Sequence, residues 1–92
     1  MVKFNELPLG KLIRSKKGSN RCFHTYEHGE VLQSYNTIVA ARCNGEIYFT
    51  RWHDCSPTTK KQVTDWSGIS TAARREGLES GVYTLLDAKE GW

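Results

Sequence analysis

Two short stretches carry side chains capable of chemistry. Cys22-Phe23-His24 is followed by His28, and His53-Asp54-Cys55 stands just before Ser56-Pro57. On a strand, residues two apart share a face, so Cys22 and His24 can turn toward one ion, as can His53 and Cys55. A structural zinc site normally shows two knuckles, each with closely spaced Cys or His ligands, and no such pair of knuckles is present. His53 and Cys55 also have the makings of an imidazole–thiol pair, because the N-terminus of a helix starting at Pro57 would lower the thiol pKa. A nucleophile needs a base and a pocket for the developing oxyanion, and a chain of 92 residues leaves little room for a substrate cleft. There is no phosphate-binding loop, dinucleotide glycine box or HExxH helix. These residues read as isolated cysteines and surface histidines. The expectation is a protein that is not an enzyme, with no metal, cofactor or small-molecule substrate.

Charge is the stronger signal. The net charge is +3, but residues 1–61 hold ten Lys and Arg against five acids, while residues 62–92 hold three against five. Lys11, Arg14, Lys16, Lys17 and Arg21 fall within eleven residues that contain no acid. A cluster of this kind attracts phosphates or an acidic protein surface. It also suits a plainly solvated turn that keeps a small protein soluble. Lys60-Lys61 and Arg74-Arg75 form a second basic set, exposed by pattern, that would extend the first if the fold aligned them. The three cysteines, Cys22, Cys43 and Cys55, are an odd number, which argues against a disulfide framework. No apolar run approaches the length of a membrane span, and Met1 to Glu6 lacks the apolar stretch of a signal peptide. The expected location is the cytosol, with no membrane contact.

The elements that would position these groups are legible in outline. Asn44-Gly45 between two β-rich runs is the strongest turn signal in the chain. Strands are expected at Lys11–Arg14, Arg21–Tyr26, Val31–Cys43 and Glu46–His53, joined by short loops into an antiparallel meander. Ser56 caps a helix with Pro57 in its first turn, running to Trp66 and ended by Gly68. A shorter helical turn is expected over Thr71–Glu76, capped by Ser70 and stopped by Gly77. A closing strand is expected over Val82–Asp87. The fold class is α+β: one domain over residues 1–92, a small antiparallel sheet packed on one main helix.

A two-residue turn at Asn44-Gly45 pairs Cys43 with Glu46, Arg42 with Ile47, Ala41 with Tyr48 and Ala40 with Phe49. Continued, it pairs Val39 with Thr50, Ile38 with Arg51 and Thr37 with Trp52. Ile38, Ala40, Ile47 and Phe49 then form one apolar patch for the helix. Tyr35, Tyr48 and Trp52 fall on the opposite face, as a stacking platform for bases or as packing beneath Phe4, Leu7 and Leu9. Covered packing is the favoured reading, because a small domain needs its large apolar side chains inside. The helix-separated strands and Gly-aromatic box of an RNA-recognition motif are absent.

Leu32-Gln33-Ser34-Tyr35-Asn36-Thr37-Ile38-Val39-Ala40, Ser56-Pro57-Thr58-Thr59-Lys60 and Phe4-Asn5-Glu6-Leu7-Pro8-Leu9-Gly10-Lys11 resemble small proteins of phages and mobile elements. Within that setting the chain resembles the phage anti-CRISPR proteins that inhibit the type I-F CRISPR–Cas surveillance complex. The resemblance implies a phage-encoded, non-enzymatic inhibitor in the cytoplasm of a bacterial host. Its partners would be Cas proteins and, through its basic residues, guide RNA, so that target DNA no longer hybridises. Lys11, Arg14, Lys16, Lys17 and Arg21 are the first candidates for that contact, and Lys60, Lys61, Arg74 and Arg75 the second. The positive charge departs from the acidic, DNA-imitating inhibitors of this kind. The alternative reading is a basic nucleic-acid-binding accessory protein.

Overall fold

Asn44 and Gly45 adopt φ of 50° and 83°, the left-handed pair that a tight hairpin requires. The computed structural model, which describes residues 1–88, builds outward from this turn. It joins β5 (Thr37–Cys43) to β6 (Glu46–Phe49), pairing Cys43 with Glu46, Arg42 with Ile47, Ala41 with Tyr48 and Ala40 with Phe49 as the sequence predicts. On the other side the meander continues through β4 (Gly29–Ser34) and β3 (Arg21–Tyr26) to β2 (Leu12–Lys17). A single strand over Val31–Cys43 is not what forms. Tyr35 turns the chain at φ 55°, and β4 and β5 become two antiparallel strands.

Beyond β6 the chain crosses the sheet through α1 (Pro57–Ser67) and α2 (Thr71–Ser80), then returns as β7 (Thr84–Asp87) parallel to β6. A short N-terminal strand, β1 (Val2–Lys3), adds parallel to β7. The sheet therefore has seven strands in the order β1-β7-β6-β5-β4-β3-β2, with two helices, and is larger than the small sheet and single main helix expected. The Ser56 hydroxyl accepts from the Thr59 N–H at 3.1 Å, and the Ser70 hydroxyl accepts from the Ala73 N–H at 3.2 Å, so both caps form as the sequence indicates.

Two apolar layers sandwich the sheet. Leu32, Val39, Ala40, Phe49 and Val63 make the layer beneath the helices, with Trp52, Trp66, Leu78 and Tyr83 packed against it. Leu7, Leu9, Val31, Ile38, Ala41, Cys43, Leu86 and Ala88 make the other, with Phe4 and Tyr48 at its margin. Ile38 thus lies on the face opposite Ala40 and Phe49, and Val39 takes the place expected of it. The cause is a bulge: β4 pairs Leu32 with Ala40 but Gln33 with Ile38, which leaves Val39 as an extra residue. The Thr50 hydroxyl, fully buried, donates to the Ile38 carbonyl at 2.8 Å and closes the hydrogen bonding that the bulge opens. The chain turns away after Phe49, so the strand expected to reach His53 stops there.

Gly77 does not end α2; it lies buried inside it, and a Cβ there would collide with the Tyr83 ring. Alanine at a helix interior normally gains about 1 kcal/mol over glycine. Here overpacking outweighs that gain and costs about 1–3 kcal/mol. Gly77→Ala is expected to lower the denaturation midpoint in a urea titration, and an unchanged or raised midpoint would show the ring to be movable.

Candidate nucleic-acid interface

The first basic set stays together. β2 is the outer edge strand and is exposed along its whole length. Its register places Lys16 opposite Phe23 and Lys17 opposite Cys22, after a bulge between Leu12 and Arg14. Following the pairs inward, Arg14, Lys16 and Arg21 lie on the helix side of the sheet, while Ser15 and Lys17 lie on the other. Lys11 precedes the strand, and its backbone N–H is held by the Glu27 carboxylate at 2.7 Å. The result is a cationic rim around an edge, not a charged face. Among the described residues none of these five side chains has a carboxylate partner, whereas Arg42 pairs with Glu30 and Arg75 with Asp54. The guanidinium of Arg21 sits 5.3 Å above the Phe23 ring.

The second basic set divides. Lys61 is exposed and Lys60 half-buried on α1, and Arg75 is exposed on α2. Arg74, expected at the surface, is fully buried. Its Nε–H donates to His53 Nδ1 at 2.9 Å. Its Nη1 group donates to the Thr64 hydroxyl at 2.9 Å and the Ile69 carbonyl at 2.6 Å. Its Nη2 group donates to the Thr71 hydroxyl at 3.0 Å and the His53 carbonyl at 3.3 Å. All five N–H donors of the guanidinium find an acceptor, which is what a charge in the interior demands. Arg74 therefore holds the crossover together and is out of reach of a partner. The signal was present in the sequence: Arg74, Gly77 and Leu78 fall on one helical stripe.

Two of the histidines read for chemistry, His53 and His24, are hydrogen-bonded within the fold. His53 is buried, and because Nδ1 accepts from Arg74, its proton sits on Nε2, 3.9 Å from Asp54. Cys55 is exposed, with its thiol 3.7 Å from the Thr59 hydroxyl. His24 lies between the Ser15 hydroxyl at 2.6 Å and the Gln33 carbonyl oxygen at 2.9 Å, and the Gln33 amide donates onward to the Tyr35 carbonyl at 2.6 Å. Ser15, His24 and Gln33 follow one another as nucleophile, base and orienting group would. Gln33 is neutral, however, and cannot stabilise an imidazolium as a carboxylate does. The chain of bonds instead fixes the turn at Tyr35. Among the described residues no three His, Cys, Asp or Glu side chains converge on a common point.

The three aromatics of the expected platform part company. Tyr48 packs beside the layer containing Leu7 and Leu9, in agreement with the covered reading. Trp52 joins the helix-side layer with Arg51 stacked 4.5 Å above it. Tyr35 alone is left in solvent, at 59% exposure. A depression lined by Arg51, Trp52, Leu85 and Asp87 lies beside β7, at the far end of the sheet from the rim.

Residues 8–80 match the family of unknown function DUF8033. The chain belongs to that family. The match runs from the residue before Leu9 to the last residue of α2, so this DUF8033 domain includes the meander, the rim and both helices. No curated protein matches the chain. No solved structure matches it.

Burial of His53, with Arg74 beside it, is expected to make stability depend on pH. Burial lowers the His53 pKa from the ordinary 6.5, and the charges of Arg74 and Arg75 push the same way against the opposing Asp54. The unfolded chain therefore takes up a proton first as pH falls, and folding stability drops between about 6.5 and the lowered native value. Above that window the contribution is fully present. Denaturant midpoints are expected to fall as pH is lowered from 8 toward 5. His53→Gln, whose amide oxygen can still accept from Arg74, is expected to flatten that fall. An equal slope in the variant would place the titrating group elsewhere.

Proposed function

We propose that this DUF8033 domain is a non-enzymatic binding module that contacts the phosphate backbone of a nucleic acid, alone or within a ribonucleoprotein, through the rim formed by β2 and the start of β3. One observation carries this reading. Lys11, Arg14, Lys16, Lys17 and Arg21 stand exposed along one edge, and among the described residues none is neutralised by a carboxylate. Phosphates spaced along a strand suit such a line of cations, which release condensed counterions on binding. A rigid sheet edge loses little conformational freedom on docking, which favours action by occupancy. Lys61, on the exposed side of α1, is a secondary contact, and Lys60 and Arg75 are marginal ones.

Resemblance to phage inhibitors of the type I-F surveillance complex supports a specific form of this proposal. In it, the rim engages guide RNA beside Cas proteins in a bacterial cytoplasm and obstructs target DNA. No helix among the described residues is long and apolar enough to cross a membrane. The two forms differ in what they bind. A general nucleic-acid binder shifts naked RNA or DNA in a gel with steep salt dependence. A Cas inhibitor co-elutes with the assembled complex and reduces its binding of target DNA.

Triple reversal of Arg14, Lys16 and Lys17 to Glu tests the rim in either assay. Affinity is expected to fall at least about tenfold, with a salt slope shallower by roughly one unit per lost phosphate contact. Far-UV circular dichroism should stay unchanged, because all three side chains are in solvent. Retained affinity with an unaltered slope would remove the rim from the mechanism.

A further inference from the structure

Tyr35 occupies a position that chain geometry disfavours and structure reinforces. A left-handed conformation at the first residue of a two-residue hairpin turn is normally supplied by glycine, asparagine or aspartate, as Asn44 supplies it between β5 and β6. A bulky residue persists there only when its surroundings over-determine it, and such sites gather where a side chain has a task. Here the surroundings do so from both sides. The Tyr35 N–H donates to the Asn20 carbonyl at 2.9 Å, and the Tyr35 carbonyl accepts from the Gln33 amide at 2.6 Å. Each anchor is itself anchored. The Gln62 amide donates to Asn20 Oδ1 at 2.9 Å, tying that loop to α1, and His24 holds Gln33 at 2.9 Å. The backbone is fixed while the ring projects into water at 59% exposure.

The residue also stands at one end of the rim. Ser34, the residue before it, pairs with Arg21, and Lys17 pairs with Cys22 on the next strand. The turn that carries Tyr35 therefore meets the loop between Lys17 and Arg21. An aromatic face beside exposed cations is the arrangement by which single-stranded nucleic acids are held: phosphates follow the charges while an unpaired base stacks on the ring. A duplex, whose bases are stacked internally, has no face to offer it.

We infer that Tyr35 is a stacking site for an unpaired base of single-stranded RNA or DNA whose phosphates follow the edge past Arg21 on the helix side and Lys17 on the other. This rests on the rim being a nucleic-acid contact and adds the strandedness of its ligand. Tyrosine's two side-chain torsions make the ring inexpensive to immobilise, and the turn has already set its direction.

The test compares wild type, Tyr35→Phe, Tyr35→Gly and the double variant Lys17→Glu/Arg21→Glu. Each is titrated against a single-stranded oligonucleotide bearing one 2-aminopurine and against the matching duplex, across a salt series. Glycine suits the left-handed turn, so Tyr35→Gly is expected to melt no lower than wild type. Its affinity for the single strand should fall about tenfold or more, the loss expected of one base–aromatic contact. The salt slope should not change, because no phosphate contact is removed. Tyr35→Phe should bind as wild type does, with the same quenching of 2-aminopurine. Unchanged single-strand affinity in Tyr35→Gly, alongside lost affinity in the charge variant, would overturn the stacking site and leave the rim standing. Duplex bound as tightly as single strand by wild type would overturn it also. If neither nucleic acid binds wild type, the stacking site is overturned, and the rim reading is then judged in its ribonucleoprotein form by co-elution with the assembled complex.

Discussion

One buried cation organises the crossover on which the sheet depends. Arg74 reaches from α2 to the turn after β6 through His53, to α1 through Thr64, and to the link between helices through Ile69. Its guanidinium carbon also lies 5.8 Å from the Phe49 ring centre, at the middle of the helix-side layer. Such a group has one tolerable state, charged with every donor occupied, since an isolated charge in the interior is prohibitive. The neighbouring elements must therefore arrive in one relative placement. Asp54 is drawn into the same arrangement. Burial alone would raise its carboxyl, but the hydrogen bond and charge of Arg75 and the nearby imidazole leave it below the ordinary 3.8.

This division of labour accounts for where the charge is usable. Two adjacent arginines, Arg74 and Arg75, differ completely in role because one residue of helix is a rotation of about 100°. Arg74 is spent inside, and Arg75 is paired with Asp54 at 2.7 Å. Arg42 is likewise engaged, with Glu30 at 3.2 Å and with the Trp66 ring beneath it at 4.5 Å. The largest group of exposed cations without a carboxylate partner, among the described residues, is then the edge strand with the start of β3, and Lys61 stands apart on α1. Lysines on an exposed edge also discourage sheet-to-sheet aggregation. The two roles are compatible, since a strand that repels its own copies is open to anions.

Local chemistry was the readable part of the sequence. Asn44-Gly45 demanded a hairpin, Ser56-Pro57 and Ser70 demanded helix starts, and all three formed where they stand. Misreadings arose where tertiary context prevailed over pattern. Tyr35-Asn36 carries no glycine, so the turn there was hidden within an apparently continuous strand. The bulge at Val39 reversed the facing of Ile38, since a shift of one residue exchanges the two sides of a strand. Gly77 reads as a stop signal, yet it is small because Tyr83 lies against it. The basic rim was legible from its acid-free run, but its separation from Arg74 required the helix stripe to be weighed against the charge pattern. β1 had no sequence signal, because two residues are too few to show a period.

The parallel pairing of β1 with β7 has a kinetic consequence. Strands β2 to β6 are joined by tight turns, so their contacts are local and form without closing a long loop. Val2 and Leu86 meet only after nearly the whole chain has been gathered. Contacts of that separation are the slow ones in folding. The meander is therefore placed to assemble early, with the far border of the sheet zipped last. During synthesis on a ribosome, the side bearing the cations would take shape before the opposite side is complete.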